Sequence, residues 1–119
     1  MEKVNLGEKL RLFSDHWSPR IVAQLNGQHV KIAKLKGEFV WHRHEREDEL
    51  FLVLEGRLTI RFRDRDVTLE RGELLVVEKG VEHQPVAEEE VHVLLFEPVG
   101  TLNTGNVEDE RTVRAPERV

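Results

Sequence analysis

Three histidines and one glutamate have the types and spacing to do chemistry together. His42 and His44 are two positions apart, Glu49 follows a charged connection at 45–48, and His83 lies far downstream. Side chains two apart on an extended chain leave the same face, so a strand over 39–44 puts both imidazoles on one side. Glu49 opens the next apolar run with the parity of Phe51 and Val53, and so shares their face. His83 follows a turn centred on Gly80 and could approach from a neighbouring strand. Three imidazoles and a carboxylate are a mixed N/O donor set for one divalent transition metal (Fe, Mn, Ni, Co, Cu or Zn) and suit Ca or Mg poorly. Four such ligands leave one or two positions on an ion for water or substrate. The spacing alone fits equally well a surface strand with chance histidines beside a solvated charge run, E-R-E-D-E.

The elements that must position these residues are strands. Asn26-Gly27 between apolar runs at 21–25 and 28–35 is a hairpin signal, because both central residues of a type I′ turn need positive φ. Further runs at 39–44, 49–54, 57–63, 66–69, 74–77 and 91–96 give roughly eight short strands, separated by turns at Gly37, Gly56, Gly72 and Gly80. In R-L-T-I-R-F-R, alternation sends Leu58, Ile60 and Phe62 to a core and the arginines to water. Residues 6–13 can form a short helix or turn. The segment after Pro98 loses periodicity and reads as an extended tail with frayed last residues, and Thr101, Asn103, Thr104 and Asn106 in it could cap a barrel mouth. The expectation is one domain over 1–119, with a barrel core at about 20–98 and a tail at 99–119. Its class is an all-β, antiparallel sandwich or barrel.

The residues around the candidate ligands resemble the cupin superfamily. The first cupin motif is matched by Gly37, His42-x-His44, four residues to Glu49, and six more to Gly56. The second is matched by Gly72, five residues, Glu78-x-Gly80, two residues and His83, with Ala87 after three more. There are three departures: the Gly37–His42 spacing is one short, Glu78 stands in place of proline, and Ala87 in place of asparagine. All affect turns or packing, and the four ligand positions are intact. The resemblance implies a small double-stranded β-helix (jelly-roll) barrel with a metal inside, held by His42, His44, Glu49 and His83.

Composition narrows the remaining possibilities. The chain has no Cys, which excludes disulfides and thiolate chemistry, and a net charge of -5, which argues against nucleic acid as a partner. No apolar run approaches a membrane span and the N-terminus lacks a signal-peptide core, so a cytoplasmic protein without membrane contact is expected. In L-F-L-V-L at 50–54 both faces are apolar, and cover by a second copy, a homodimer, is the favoured reading. Phe51 is a candidate pocket wall beside Glu49. Lys31 is a candidate inward substrate anchor, although a solvated strand lysine is the commoner case. His16, His29 and His92 show no partner pattern and read as surface or satisfied histidines, and Ser14-Asp15-His16 is adjacency, not a triad.

A cupin metal site serves many reactions. The expected function is a mononuclear metal enzyme, isomerase- or oxygenase-type, on a small polar metabolite, the metal polarising a carbonyl or hydroxyl or, as Fe(II), engaging dioxygen. The alternative is a non-catalytic small-molecule binding or sensing module. With no Tyr and no Cys, the chain lacks the tyrosine acid or base of several cupin epimerases and any Cys–Tyr cross-link. No basic cluster near the motifs suggests a phosphate site, which weighs against sugar phosphates.

Overall fold

In the computed structural model, which describes residues 1–119, one short helix precedes seven strands: α1 (Leu6–Leu10), β1 (Arg20–Leu25), β2 (Gln28–Glu38), β3 (Glu49–Glu55), β4 (Leu58–Phe62), β5 (Asp66–Leu69), β6 (Leu74–Val77) and β7 (His83–Pro98). The helix is shorter than its apolar spacing predicts. Asn5 caps it, its Oδ1 accepting from the Glu8 amide at 3.0 Å, but the helix buries no residue, so little packing holds a longer one. Phe13 docks on the barrel in its place, under the Arg20 guanidinium at 4.5 Å, while Lys34 donates to its carbonyl at 2.6 Å.

Every strand pairing is antiparallel, in the order β1-β2-β7-β3-β6, with β4 joined to β5 and β7. The β1–β2 hairpin turns at Asn26 and Gly27, whose φ angles of 50° and 75° are the positive pair that the sequence demands. β7 is 16 residues long, well beyond the run at 91–96. Its first part pairs with β4 from Phe62↔His83 to Thr59↔Val86, and its second with β2 and β3. The exposed Glu88, Glu89 and Glu90 at the bend hide this continuity from a reading based on hydrophobic alternation. The bend also closes the structure: Gly56, at φ 89°, meets it so tightly that a Cβ would lie 3.0 Å from the Glu90 carbonyl oxygen. This all-β, jelly-roll architecture is the expected fold class.

Two expectations are corrected. Residues 39–44 are not a regular strand; only an isolated bridge, His42↔His83, links them to the sheet. The reason lies in the tail, because Asn106 takes both backbone groups of Arg43: its Oδ1 accepts from the Arg43 amide at 2.8 Å, and its amide donates to the Arg43 carbonyl at 3.0 Å. The last residues are not frayed. Ile21 donates to the Glu117 carbonyl at 2.8 Å and accepts from the Val119 amide at 3.0 Å, which adds the C-terminus to the edge of β1.

Inside the barrel the expected interior positions meet. Phe51, Val53, Leu58 and Ile60 join Ala33, Leu35, Leu69, Val77, Ala87, Val91, Val93 and Leu95 in one core, and Phe62 packs on it half-buried. The outer face of β3 is different. Leu50 and Leu52 are half-buried beside the exposed Leu74 and Val76 of β6, and pair across the sheet with Phe96 and Leu94.

Candidate metal centre

The four residues singled out by spacing converge at one end of the barrel interior. His42 and His44 come from the extended segment after β2, Glu49 from the first position of β3 and His83 from the first position of β7. All four are buried, and one ligand atom from each lies within 4.8 Å of the others. Backbone pairing sets this convergence. His42 and His83 exchange amide–carbonyl hydrogen bonds of 3.0 and 2.9 Å, which places their rings side by side with centroids 4.4 Å apart. His44 is anchored through its carbonyl, which accepts from the Gly80 amide at 2.7 Å.

The imidazoles are oriented as ligands. Nδ1 of His42 donates to the Val40 carbonyl and Nδ1 of His83 to the Val81 carbonyl, each at 2.9 Å, so the proton sits on Nδ1 and Nε2 is left with a lone pair. The Nε2 atoms of His44 and His83 are buried without a hydrogen-bond partner, lying 3.3 and 3.7 Å from Glu49 Oε1. Buried polar atoms without partners are costly, and a cation between these groups and the carboxylate would satisfy them all. The donor set and its unpartnered nitrogens fit a transition metal, which would be held by His42, His44, Glu49 and His83.

Titration within the cluster is shaped by burial and contact. Burial, with His83 close by, lowers His42 to about 4, which keeps its imidazole neutral. Burial also works against a charge on His44, but its contact with Glu49 prevails and raises its pKa. Glu49 falls well below the ordinary carboxylate range: burial opposes this, and contacts with Glu97, His44 and His83 outweigh it.

Glu97 is the residue that motif reading missed. It lies on β7 with the inward parity of Val91, Val93 and Leu95, so alternation alone could have placed it inside. It is fully buried, and burial followed by the nearby Glu49 charge raises its pKa well above the usual value. Lys31 also points inward. It is not the solvated strand lysine that is commonest, but is 2% exposed and donates to Glu97 Oε1 at 2.8 Å. Lys31 does not line the cavity described next, whereas Phe51 does. Of the remaining histidines, His16 and His92 both contact Glu90, at 3.0 and 2.8 Å, as satisfied surface groups do. His29 differs, being buried with neither ring nitrogen partnered.

A cavity of about 30 Å³ adjoins the cluster. His42 and Glu49 form part of its wall, and Trp17, Phe39, Phe51 and Leu95 make the rest largely apolar. Trp17 sits at φ 59°, a strained conformation for a bulky side chain. It is held there by hydrogen bonds from its amide to the Lys34 carbonyl and from its indole N–H to the Lys36 carbonyl, both 2.9 Å, and by stacking on Phe39 at 4.6 Å. The tail covers the same end: Asn103 reaches the cavity, and Gly105 packs against the Arg43 backbone and the His42 ring. Nothing in the sequence before the barrel marks Trp17 for this role.

Comparison with known proteins agrees with this geometry. The Cupin_2 family (Cupin domain) matches residues 28–97. A solved cupin-2 domain containing protein from Shewanella frigidimarina is 49% identical, with a TM-score of 0.79, over 80% of this chain and 93% of that one. Protein NMB1881 from Neisseria meningitidis is 32% identical, with a TM-score of 0.75, over 82% of this chain and 99% of that one. Among curated sequences, the uncharacterized protein YdbB of Bacillus subtilis is 39% identical over 64 residues, and that match covers 53% of this chain and 57% of YdbB.

Proposed function

From the premise that this chain belongs to the cupin family, we propose that it is a mononuclear metal protein acting on a small molecule beside His42, His44, Glu49 and His83. The observation that carries this reading is the convergence of four buried donors, two of them with unpartnered imidazole nitrogens, at one end of the barrel interior. A bound divalent ion would supply Lewis acidity or, as iron, redox chemistry. The chain's own contribution is to hold the imidazoles in one tautomer through the Val40 and Val81 carbonyls and to exclude bulk water with Trp17, Phe39 and the tail.

Cavity lining separates the two enzyme classes expected from the sequence. An isomerase of a polyhydroxylated substrate needs partners for each hydroxyl, since buried hydroxyls left unpaired cost affinity. Apart from the ligands, Asn103 is the one uncharged polar side chain on the wall. The lining therefore favours an oxygenase-type reaction with dioxygen as oxidant. Such an apolar wall also supports the second reading, a binding or sensing module. Turnover that requires oxygen would remove both the isomerase and the sensing readings, and metal-dependent turnover under anaerobic conditions would remove the oxygenase reading.

The metal assignment is tested by elemental analysis of wild type, His42→Ala and His83→Ala purified from the native source. Wild type should carry about one ion per chain and the variants far less, since each loses one of the donors. Equal metal in all three would refute the site.

The open outer face of β3 and β6, with Leu74 56% exposed and Val76 48% exposed, supports the proposal that two copies pair through it. Sedimentation at micromolar concentration should give twice the monomer mass, and a Leu74→Glu variant should give the monomer. We also propose a cytoplasmic location; no helix is long and apolar enough to cross a membrane.

A further inference from the structure

We infer that Trp17 is a specificity-determining residue: with Asn103 it forms the mouth of the cavity beside the metal centre, and its indole limits what reaches the ion to water-sized molecules. This deepens the metal reading above and rests on it. Burial locates the mouth. Of the residues lining the cavity, Trp17 and Asn103 alone are half-buried, and every other, from Pro19 and Phe39 to Pro85 and Leu95, is buried. Solvent therefore meets this wall only where the indole and the carboxamide lie. His42 and Glu49 stand on the inner side of the same space.

The two sides of the mouth belong to different parts of the chain. Trp17 is fixed to β2 by the bonds from its amide and its indole N–H to the carbonyls of Lys34 and Lys36. Asn103 is fixed within the tail: its Nδ2 donates to the Arg111 carbonyl at 2.7 Å, and its Oδ1 accepts from the Val113 amide at 2.8 Å. Between the two sides runs one hydrogen-bonding contact, from Asn103 Nδ2 to the Trp17 carbonyl oxygen at 3.4 Å, longer than an ordinary N–H···O bond. The φ of 59° at Trp17 is costly for a bulky side chain, and such strain persists where the position of the side chain is needed. It lays the indole flat on Phe39, with 16° between the planes, and the Phe39 and His42 rings meet edge-on at 5.4 Å. The indole is thus one ring removed from a metal ligand.

Volume sets the limit. The cavity of about 30 Å³ has room for about two water-sized molecules. Water, dioxygen or a small anion fits behind the indole, and a six-membered ring enters only if Trp17 gives way. A separate hollow of about 200 Å³ approaches His44 from outside, between the charged residues Glu45, Arg46 and Glu47 and the tail at Gly105 and Asn106. It is the competing route to the ion, and the test separates the two.

The protein is loaded with Co(II), and its visible absorption is followed on titration with formate or benzoate, which present the same carboxylate and differ by a phenyl ring. Wild type should respond to formate at concentrations where benzoate leaves its spectrum unchanged. Trp17→Gly removes the indole and suits the positive φ, so the backbone need not move. In this variant benzoate should also change the spectrum, and the preference for formate should fall by at least about 10-fold, or 1.4 kcal/mol. Trp17→Leu keeps apolar cover over the core should the glycine variant fail to fold, and its preference should fall between the two. His83→Ala is the control for the site itself.

If His83→Ala takes up Co(II) as wild type does, the metal reading fails and this inference with it. If wild type responds to benzoate as readily as the Trp17 variants do, or if the variants still exclude benzoate while binding formate, the indole does not set the limit. The proposed mouth is then overturned in favour of the hollow beside His44. If the Trp17 variants hold Co(II) but bind neither carboxylate, the indole supports the site rather than sizing it, and the inference is likewise overturned.

Discussion

Glu49 and Val53 share one face of one strand, about 13 Å apart, yet they belong to different kinds of interior. Around Val53 the barrel is packed with Leu58, Ile60, Val91 and Val93, all fully buried and without a polar atom in their side chains. Around Glu49 the same barrel holds three imidazoles, a second carboxyl group and a lysine. The first arrangement is what burial of apolar surface rewards, at roughly 25 cal/mol per Å². The second is what it penalises, and its unpartnered nitrogens show that the penalty is only partly met within the chain. One end of the barrel thus holds the fold together, and the other carries a desolvation cost that the proposed metal would offset.

The largest expected effect tests whether the two ends are separable. Ile60→Ala removes a side chain with no exposed surface and should cost about 2–5 kcal/mol in urea unfolding. At temperatures where it remains folded, its metal content should equal that of wild type. His83→Ala should show the reverse pattern, losing metal while the metal-free protein changes far less in stability. A parallel loss of metal in Ile60→Ala would show that the polar end depends on tight packing at the other, and the separation would be wrong.

The apolar end was legible in the sequence and the polar end only partly so. Leu58, Ile60 and Phe62 declared their face by alternation, and the Asn26-Gly27 turn fixed the first hairpin, because both are local effects. The four ligands were legible by a different route, motif resemblance, which local periodicity could not supply: residues 39–44 are not a regular strand, and the face shared by His42 and His44 is set by His83 and by the tail. Glu97 was hidden for a third reason. Its parity followed from Val91, Val93 and Leu95, but its partner Lys31 is remote in sequence and meets it only through register. Trp17 was beyond reach, since its position depends on tertiary bonds to the backbone of β2.

A smaller effect is expected where the tail meets the ligand segment. A Cβ on Gly105 would lie 2.3 Å from the Arg43 carbonyl oxygen and 3.0 Å from a ring carbon of His42, at a φ of 56° that favours glycine. Gly105→Ala should cost about 1–3 kcal/mol, through strain or release of the tail from Arg43. It sharpens the comparison because this part of the tail meets the ligand segment at the polar end. Amide hydrogen exchange at Arg43 and Asn106 should quicken while the amides of β4 keep their protection, and uniform acceleration across both would tie the tail to the whole barrel.

The smallest effect concerns a carboxylate that, unlike Glu49, stays in water. Glu90 lies at the β7 bend between His16 and His92, and those two contacts lower its pKa to about 2, with burial a minor opposing influence. A folded-state pKa below the unfolded value of 4.5 means that the stabilisation is fully present above about pH 5 and disappears as pH falls towards 2. Because Glu90 is largely exposed, solvent and salt screen the interaction and the gain is small. Glu90→Gln should therefore be slightly less stable than wild type at pH 6, with the gap closing at acid pH and in high salt, as followed by thermal unfolding. Its metal affinity should match wild type. A gap that widens as pH falls would reverse the sign of the linkage and remove Glu90 as a stabilising contact between the N-terminal segment and β7.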